Sequence, residues 1–450
     1  MQCEIKERKR VFFMMDKKKV VFIDGCRTPF LRSGTDYLNL MSYELGQFAI
    51  KGLLQKTGLN PIEVDQVIMG TVISNVKTSN VAREAALGAG IPNKAHCQTV
   101  TQACISANRA ICNGVNEIML GNADVVIAGG VENTSDTPIG FPKKMRNKLF
   151  AAQKLRGLGD YLKFAFSLRP SDFVPVRPAV AEYTTGRTMG QDCDIMAARY
   201  EVSREDQDDF AFRSHQLAGK AQADGYLKEE MCEVALDPKF RAITMDNGIR
   251  PDSKREKIAR LRPAFDKKHG TLTAANSSFL TDGAAASLIM TEDKAKELGL
   301  LPKSRIVEYV FTGQDLEDEL LLGPAYAISQ VLDKAGLNLD QMDVIELHEA
   351  FAGQVLSNIK CLASDKFSKE KLGRDKAVGT IGMTRLNKWG GSLSIGHPFG
   401  ATGSRLITTA SNRLHKEGGK YALIAACAAG AHGHAMIIEK YEAKDDRQLY

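Results

Sequence analysis

The chain has 450 residues, 44% hydrophobic and 25% charged, with a formal net charge of +6. That length exceeds one hydrophobic core and implies two or three domains of ordinary globular composition. The charge is too mild for a nucleic-acid binder, and the nine scattered cysteines form no CxxC pair, which argues against a zinc ribbon or disulfide framework and for a reducing compartment. Residues 1–18 read as a loose extension. The start is basic but carries Glu4, Glu7 and Asp16 and no Ser, unlike a mitochondrial presequence, and its apolar patch at 11–15 is too short for a secretory signal. A cytoplasmic location is therefore expected for a bacterial source, with a mitochondrial one as the alternative. No stretch reaches the ~18 apolar residues of a spanning helix.

Folding starts at 19–25, a short buried strand closed by Gly25. An amphipathic helix follows over 42–57, a strand over 64–70 and a helix over 80–87. A buried helix then opens at Cys104 among Ala103, Ser106, Ala107 and Ala110, and runs through 111–120 to a stop at Gly121-Asn122. A buried strand covers 124–130. Strands alternating with helices predict a parallel sheet covered on both faces. The pattern recurs: 53–60 is matched by 331–338, each running into an Asp-led strand at Asp65 and Asp343, and 121–130 is echoed by 418–427. A duplicated half follows, in which Cys104 of the first half corresponds to His397 of the second. The predicted division is an N-terminal half of 19–137 plus 275–302, an inserted loop domain of 138–274, a C-terminal half of 303–442 and a tail of 443–450.

The insert is rich in Pro and charged helices. Its segment 143–169 holds eight Lys/Arg against one acid, Asp160, interleaved with Leu and Phe. Such a basic amphipathic helix lies on an anionic membrane or a partner, or packs its apolar face on its own domain.

Three further stretches carry reactive groups: His348-Glu349-Ala350-Phe351, the loop around Gly396-His397-Pro398, and Cys427 followed by Ala429-Gly430. All are expected at the carboxyl ends of strands, where chemistry gathers in parallel α/β sheets. A thiol nucleophile wants an imidazole to take its proton, and an oxyanion wants preorganised N–H donors. The helix-start position of Cys104 favours thiolate. Two cysteines in one site allow one to be nucleophile and the other acid/base. A metal site from Cys427, His432 and His434 has no fourth ligand and no fitting spacing, so no metal is expected.

These residues, with Asp24-Gly25-Cys26-Arg27-Thr28-Pro29-Phe30, the 272–278 stretch and Asp282-Gly283-Ala284, resemble the thiolases over residues 19 to 442, and among them the long-chain 3-ketoacyl-CoA type that serves as the β subunit of trifunctional complexes. The resemblance implies an α/β fold of duplicated α-β-α-β-α layered halves. It implies a 3-ketoacyl-CoA thiolase of fatty-acid β-oxidation, with no permanent cofactor and coenzyme A as substrate. Cys104 would be the acylated nucleophile, His397 its base, Cys427 the acid/base and His348 an oxyanion-hole donor with His397. The backbone N–H groups of Cys104 and Ala429 would form a second oxyanion hole, and Ser278 and Asn276 would bind substrate, Ser278 at the pantetheine arm. The resemblance further implies a homodimer or higher oligomer and a hydratase/dehydrogenase α subunit as partner. His348 stands where most thiolases have Asn, Ala429 where most have Gly, and the turn 430–433 departs from the family's Gly-Gly-Gln-Gly. The alternatives are an acetyl-CoA C-acetyltransferase, a ketosynthase-type condensing enzyme, which has no need of Cys427, and a non-enzymatic membrane-docking subunit.

Overall fold

The computed structural model describes residues 18–443 except 237 and 239. The extension expected at 1–18 thus lies outside the described residues apart from Lys18, as does all of the tail but residue 443.

The first apolar run forms β1 (Val20–Arg27), followed by the two-residue β2 (Leu31–Arg32). The amphipathic pattern becomes α1 (Ser42–Thr57), stopped by Gly58 at φ 68°. Then come β3 (Gln66–Gly70), α2 (Val81–Gly88), capped by the Asn80 side chain, β4 (His96–Val100), α3 (Ser106–Met119) and β5 (Val125–Glu132). The next segment holds α4 (Lys143–Ala152), α5 (Leu158–Ser167), α6 (Met189–Arg199), α7 (Arg204–Ala223), a hairpin of β6 (Val234–Leu236) with β7 (Arg241–Ile243), and α8 (Arg255–Ala259). The chain returns through β8 (Thr281–Thr291), α9 (Glu292–Glu297), β9 (Ser304–Gly313), α10 (Gly323–Ala335), β10 (Val344–Leu347) and α11 (Ala352–Leu362). It finishes with α12 (Ser392–Ile395), α13 (Thr402–Glu417), β11 (Tyr421–Ala428) and β12 (His432–Lys440).

The ten-stranded sheet runs β10-β11-β12-β9-β1-β8-β5-β3-β4, with β2 beside β8. It is mixed, which corrects the expected parallel sheet. Only β3/β4, β3/β5 and β10/β11 are parallel. The turn between β11 and β12 is too short for a crossover, so that pair is antiparallel. β8 pairs antiparallel with both β1 and β5.

The duplication is visible atom by atom. Asp65 Oδ2 accepts the N–H groups of Asp124 and Val125 at the start of β5, both at 2.9 Å. Asp343 Oδ2 does the same for Lys420 and Tyr421 at the start of β11, at 2.7 and 3.1 Å. The two half-sheets meet at β1 and β9 through only Val21↔Arg305 and Phe22↔Ser304.

Alternation along the strands builds the layers. Val20, Phe22, Val126 and Ile424 face a central cluster with Ile111 of α3 and Leu406 and Ile407 of α13. Val21 and Ile127 face the outer helices α1 and α2, and Leu423 and Ile437 face α10 and α11 on the far side. Helix, sheet, paired central helices, sheet and helix make the five layers. The central helices touch at their first turns: a Cβ on Gly403 would fall 2.2 Å from Asn108 Oδ1.

The segment after β5 is anchored to the core by buried charge. Arg27 donates to Asp246 Oδ1 at 2.7 Å and Oδ2 at 2.9 Å, and Asp246 also accepts the Phe30 N–H at 2.7 Å. The basic stretch is two helices, α4 and α5, rather than one, and Met145 is their one buried side chain among the described residues. Leu158 and Phe166 are 78% and 88% exposed, so the apolar face is not packed on the chain's own domain. No helix among the described residues is long and apolar enough to cross a membrane.

Candidate active site

Cys104 sits in the tight turn between β4 and α3, ahead of the helix, whose N-cap is Ile105. The turn is strained: Ala103 has φ 44°, a left-handed value costly for a side-chain-bearing residue. Ser106 holds it, its Oγ accepting the Gln102 N–H at 2.8 Å and donating to Ala103 O at 2.7 Å. The backbone N–H groups of Ala429 and of Cys104 itself favour the ionised form of the Cys104 sulfur. Burial nevertheless pushes this thiol up to about 12, with the Glu132 carboxylate adding to the rise. Burial of the sulfur thus opposes the ionisation that the helix-start position favours. The helix field falls off within one turn, and loss of water around the sulfur outweighs two N–H groups.

Glu132 ends β5 and ties two loops together. Its carboxylate accepts the N–H groups of Val72 at 3.1 Å, Ile73 at 2.9 Å and Gly400 at 3.0 Å, while burial raises it to about 7. Gly400 belongs to the His397 loop, so one buried acid joins that loop to the end of β5.

Cys427 lies near the end of β11. Its thiol is pushed up by burial and then by the Cys104 charge, which places the two sulfurs within electrostatic reach. His348 directly follows β10. Its N–H donates to Ala425 O at 2.9 Å, in the strand that carries Cys427. His397 is not at a strand's carboxyl end, as its motif suggested. It lies between α12 and α13, its N–H on Thr281 Oγ1 at 2.9 Å, at the start of β8. Because β8 runs antiparallel to β5, its start shares the edge where the parallel strands finish.

The two imidazoles meet with ring centroids 4.0 Å apart, at 44°. His348 Nδ1 is 3.0 Å from Ser392 Oγ and His397 Nδ1 is 2.7 Å from Thr402 Oγ1, and both Nε2 atoms are buried with no protein partner. Both rings are held neutral. Burial and then the Arg405 charge push His397 down to about 3, and burial, His397 and Arg405 push His348 well below its ordinary value.

Ser278 is half-buried, its N–H on Ala350 O at 2.9 Å. Asn276 is placed differently from the expected substrate contact. It is fully buried, both amide hydrogens go to Asp208 and Thr271 O, and its Oδ1 accepts the Thr273 N–H at 2.6 Å. It shapes the loop that presents Ser278. His434 packs against Val310 O through Nδ1, and no group of three or more His, Cys, Asp or Glu among the described residues is placed to hold a metal.

Sequence reading missed Ser392, Thr402, Arg405 and Glu132, none of which stands in a pattern that signals chemistry. It also missed Glu182, whose carboxylate takes the Gly430 N–H at 2.5 Å beside Ala429. Residues 20–293 match the family model "Thiolase, N-terminal domain" and 300–440 match "Thiolase, C-terminal domain". The chain is 52% identical to the mitochondrial trifunctional enzyme subunit beta of Macaca fascicularis, over 94% of this chain and 89% of that one. It is 44% identical to the 3-ketoacyl-CoA thiolase of Yersinia pestis, over 94% and 97%. The crystal structure of human mitochondrial 3-ketoacyl-CoA thiolase in complex with CoA superposes with a TM-score of 0.79 at 30% identity, covering 94% of this chain and 98% of that one.

Proposed function

The chain belongs to the thiolase family of acyltransferases, and on that premise we propose that it cleaves 3-ketoacyl-CoA with CoA, through an acyl group carried on Cys104. The observation that carries this reading is the pair of buried, neutral imidazoles with unpartnered Nε2 atoms, set at the sheet edge where the buried Cys427 and the half-buried Cys104 lie within electrostatic reach of one another.

His397 Nε2 takes the Cys104 proton, and the sulfur attacks the 3-keto carbon. The Ala429 and Cys104 N–H groups receive the resulting oxyanion. The bond between C2 and C3 then breaks, leaving the acyl group on Cys104. The electron pair stays on the acetyl-CoA unit, whose thioester oxygen rests on the His348 and His397 pair, and Cys427 gives its proton to that carbon. A thiol held protonated by burial suits this acid role. Cys427, now thiolate, takes the proton of incoming CoA, whose sulfur attacks the acyl-enzyme. Cys104 leaves and regains its proton from His397. Ser278 contacts the pantetheine arm, on the loop that Asn276 shapes. No resident cofactor is required, since CoA is consumed as substrate.

The test is a trapping experiment. Incubation with a 3-ketoacyl-CoA and no free CoA should leave an acylated peptide containing Cys104. Acylation of Cys427 or Cys112 instead would overturn the assignment.

The same reading extends to assembly. Among the described residues β4 ends the sheet with no further strand, while the outer edge of β10 is covered by backbone at 385–387. An open edge of this kind supports a homodimer. The trifunctional relatives support a hydratase/dehydrogenase α subunit as partner, and their higher identity favours the mitochondrial alternative over a cytoplasmic location. The exposed apolar and basic residues of α4 and α5 support docking on an anionic membrane.

A further inference from the structure

Two neutral imidazoles side by side pose a problem for the proposed reaction. One must present a bare Nε2 to accept a proton and the other an Nε2–H to hold an oxyanion. Rings of equal tautomer leave either no base or no second donor. The choice is made at the far nitrogen of each ring.

For His397 the partner is Thr402. Its hydroxyl hydrogen goes to Pro398 O at 3.0 Å, so toward His397, 2.7 Å away, it acts as acceptor. His397 therefore carries its hydrogen on Nδ1 and leaves Nε2 bare.

For His348 the partner is Ser392, and the polarity is reversed. Arg405 Nη2 donates to Ser392 Oγ at 3.0 Å. Arg405 is itself buried, with Nη1 3.6 Å from Glu346 Oε2. The guanidinium occupies a lone pair of Ser392, and its charge turns the hydroxyl hydrogen away, toward His348 Nδ1 at 3.0 Å. Were Ser392 to accept from His348 as well, its hydrogen would be buried without an acceptor, a costly arrangement. His348 Nδ1 thus accepts, and the ring hydrogen sits on Nε2.

We propose that Ser392, oriented by Arg405, is the positioning residue that fixes His348 as an Nε2–H donor, opposite in tautomer to the Thr402-held His397 that it packs against. This rests on the thiolase reading above and adds a residue outside the expected site. It also separates the two histidines by role: their orphaned Nε2 atoms, alike in burial, differ in the hydrogen they carry.

The experiment has two arms. In the first, acetoacetyl-CoA thiolysis is measured for wild type, S392A, S392T, H348N and S392A/H348N. An amide has no tautomer to fix. S392A should therefore lower kcat/KM roughly ten- to a hundredfold with His348 present, the usual range for a partner that orients a ligating imidazole. It should cost less than twofold in the H348N background, and S392T, which keeps the hydroxyl, should restore most of the loss. An equal loss in both backgrounds would reduce Ser392 to a shaper of its loop and overturn the proposal. In the second arm, 15N-histidine spectra of the eight-histidine chain, assigned by the H348N variant, should show His348 protonated at Nε2 in wild type and as a mixture in S392A. A wild-type His348 protonated at Nδ1 overturns the proposal. This arm needs no turnover, so absence of thiolase activity would sink the functional reading while the tautomer is still decided.

Discussion

Cys104 is a half-buried residue whose thiol is raised to about 12 by loss of water around the sulfur, in a turn strained at Ala103. Its reactivity toward an external alkylating agent should follow that ionisation. The iodoacetamide rate at Cys104 is expected to climb nearly tenfold per pH unit from 7 to 10.5, without the levelling near 8.5 of an ordinary free thiol. A plateau below pH 8.5 would show a resting thiolate stabilised by a charged partner. At His348 the prediction concerns hydrogen bonding. His348→Asn keeps a donor and should retain partial activity, while His348→Ala should lose about 10²–10³-fold, the usual effect of deleting one oxyanion-hole donor. Equal rates in the two variants would show that no donor acts there.

The segment between β5 and β8 is held by a buried charge cluster around Arg27 and presents one exposed face. Arg27 is enclosed with Asp246 and Glu230, and its guanidinium is held above its usual range by their charges against the pull of burial. Asp246→Ala leaves that cation with Glu230 alone, 3.6 Å away, and should cost about 3–5 kcal/mol in denaturant unfolding, the usual penalty for breaking a buried pair from one side. A loss under 1 kcal/mol would mean that water or Glu230 takes over. On the exposed face, Lys148 already pairs with Asp172 at 2.6 Å, so it is left intact in the docking test. Lys143, Lys144, Arg146 and Lys154 changed to Ser should weaken co-sedimentation with cardiolipin-containing vesicles, and salt should weaken wild-type binding in the same way. Each basic residue near anionic lipid contributes about 1 kcal/mol, and screening lengths shrink from ~10 Å at 0.1 M salt to ~3 Å at 1 M. Acetoacetyl-CoA cleavage should be unchanged in the variant. Equal pelleting of both chains would assign the helices to a protein partner or to solvent.

At the scale of the molecule, two half-sheets joined by a two-residue contact at β1 and β9 rely on the central helices for their cohesion. One outer edge is covered and the other open. The expected outcome is a dimer by light scattering at micromolar concentration. A monomer that retains full thiolysis would remove the open edge from any role in assembly.

The sequence by itself determined the duplication, because matched helix–glycine segments at 53–60 and 331–338 each run into a strand led by Asp65 or Asp343. It also singled out Cys104, His348, His397 and Cys427, since reactive side chains flanked by small residues leave a local signature. Other features arise only from tertiary structure. Strand direction in the mixed sheet depends on which neighbours the long connections reach, which no local period encodes. The ionisation of Cys104 depends on burial by β5 and the Ala429 turn, residues distant in the chain. The hydrogen on each imidazole depends on Ser392, Thr402 and Arg405. As ordinary serine, threonine and arginine, these acquire meaning only when the fold brings their polar atoms to the far side of a histidine.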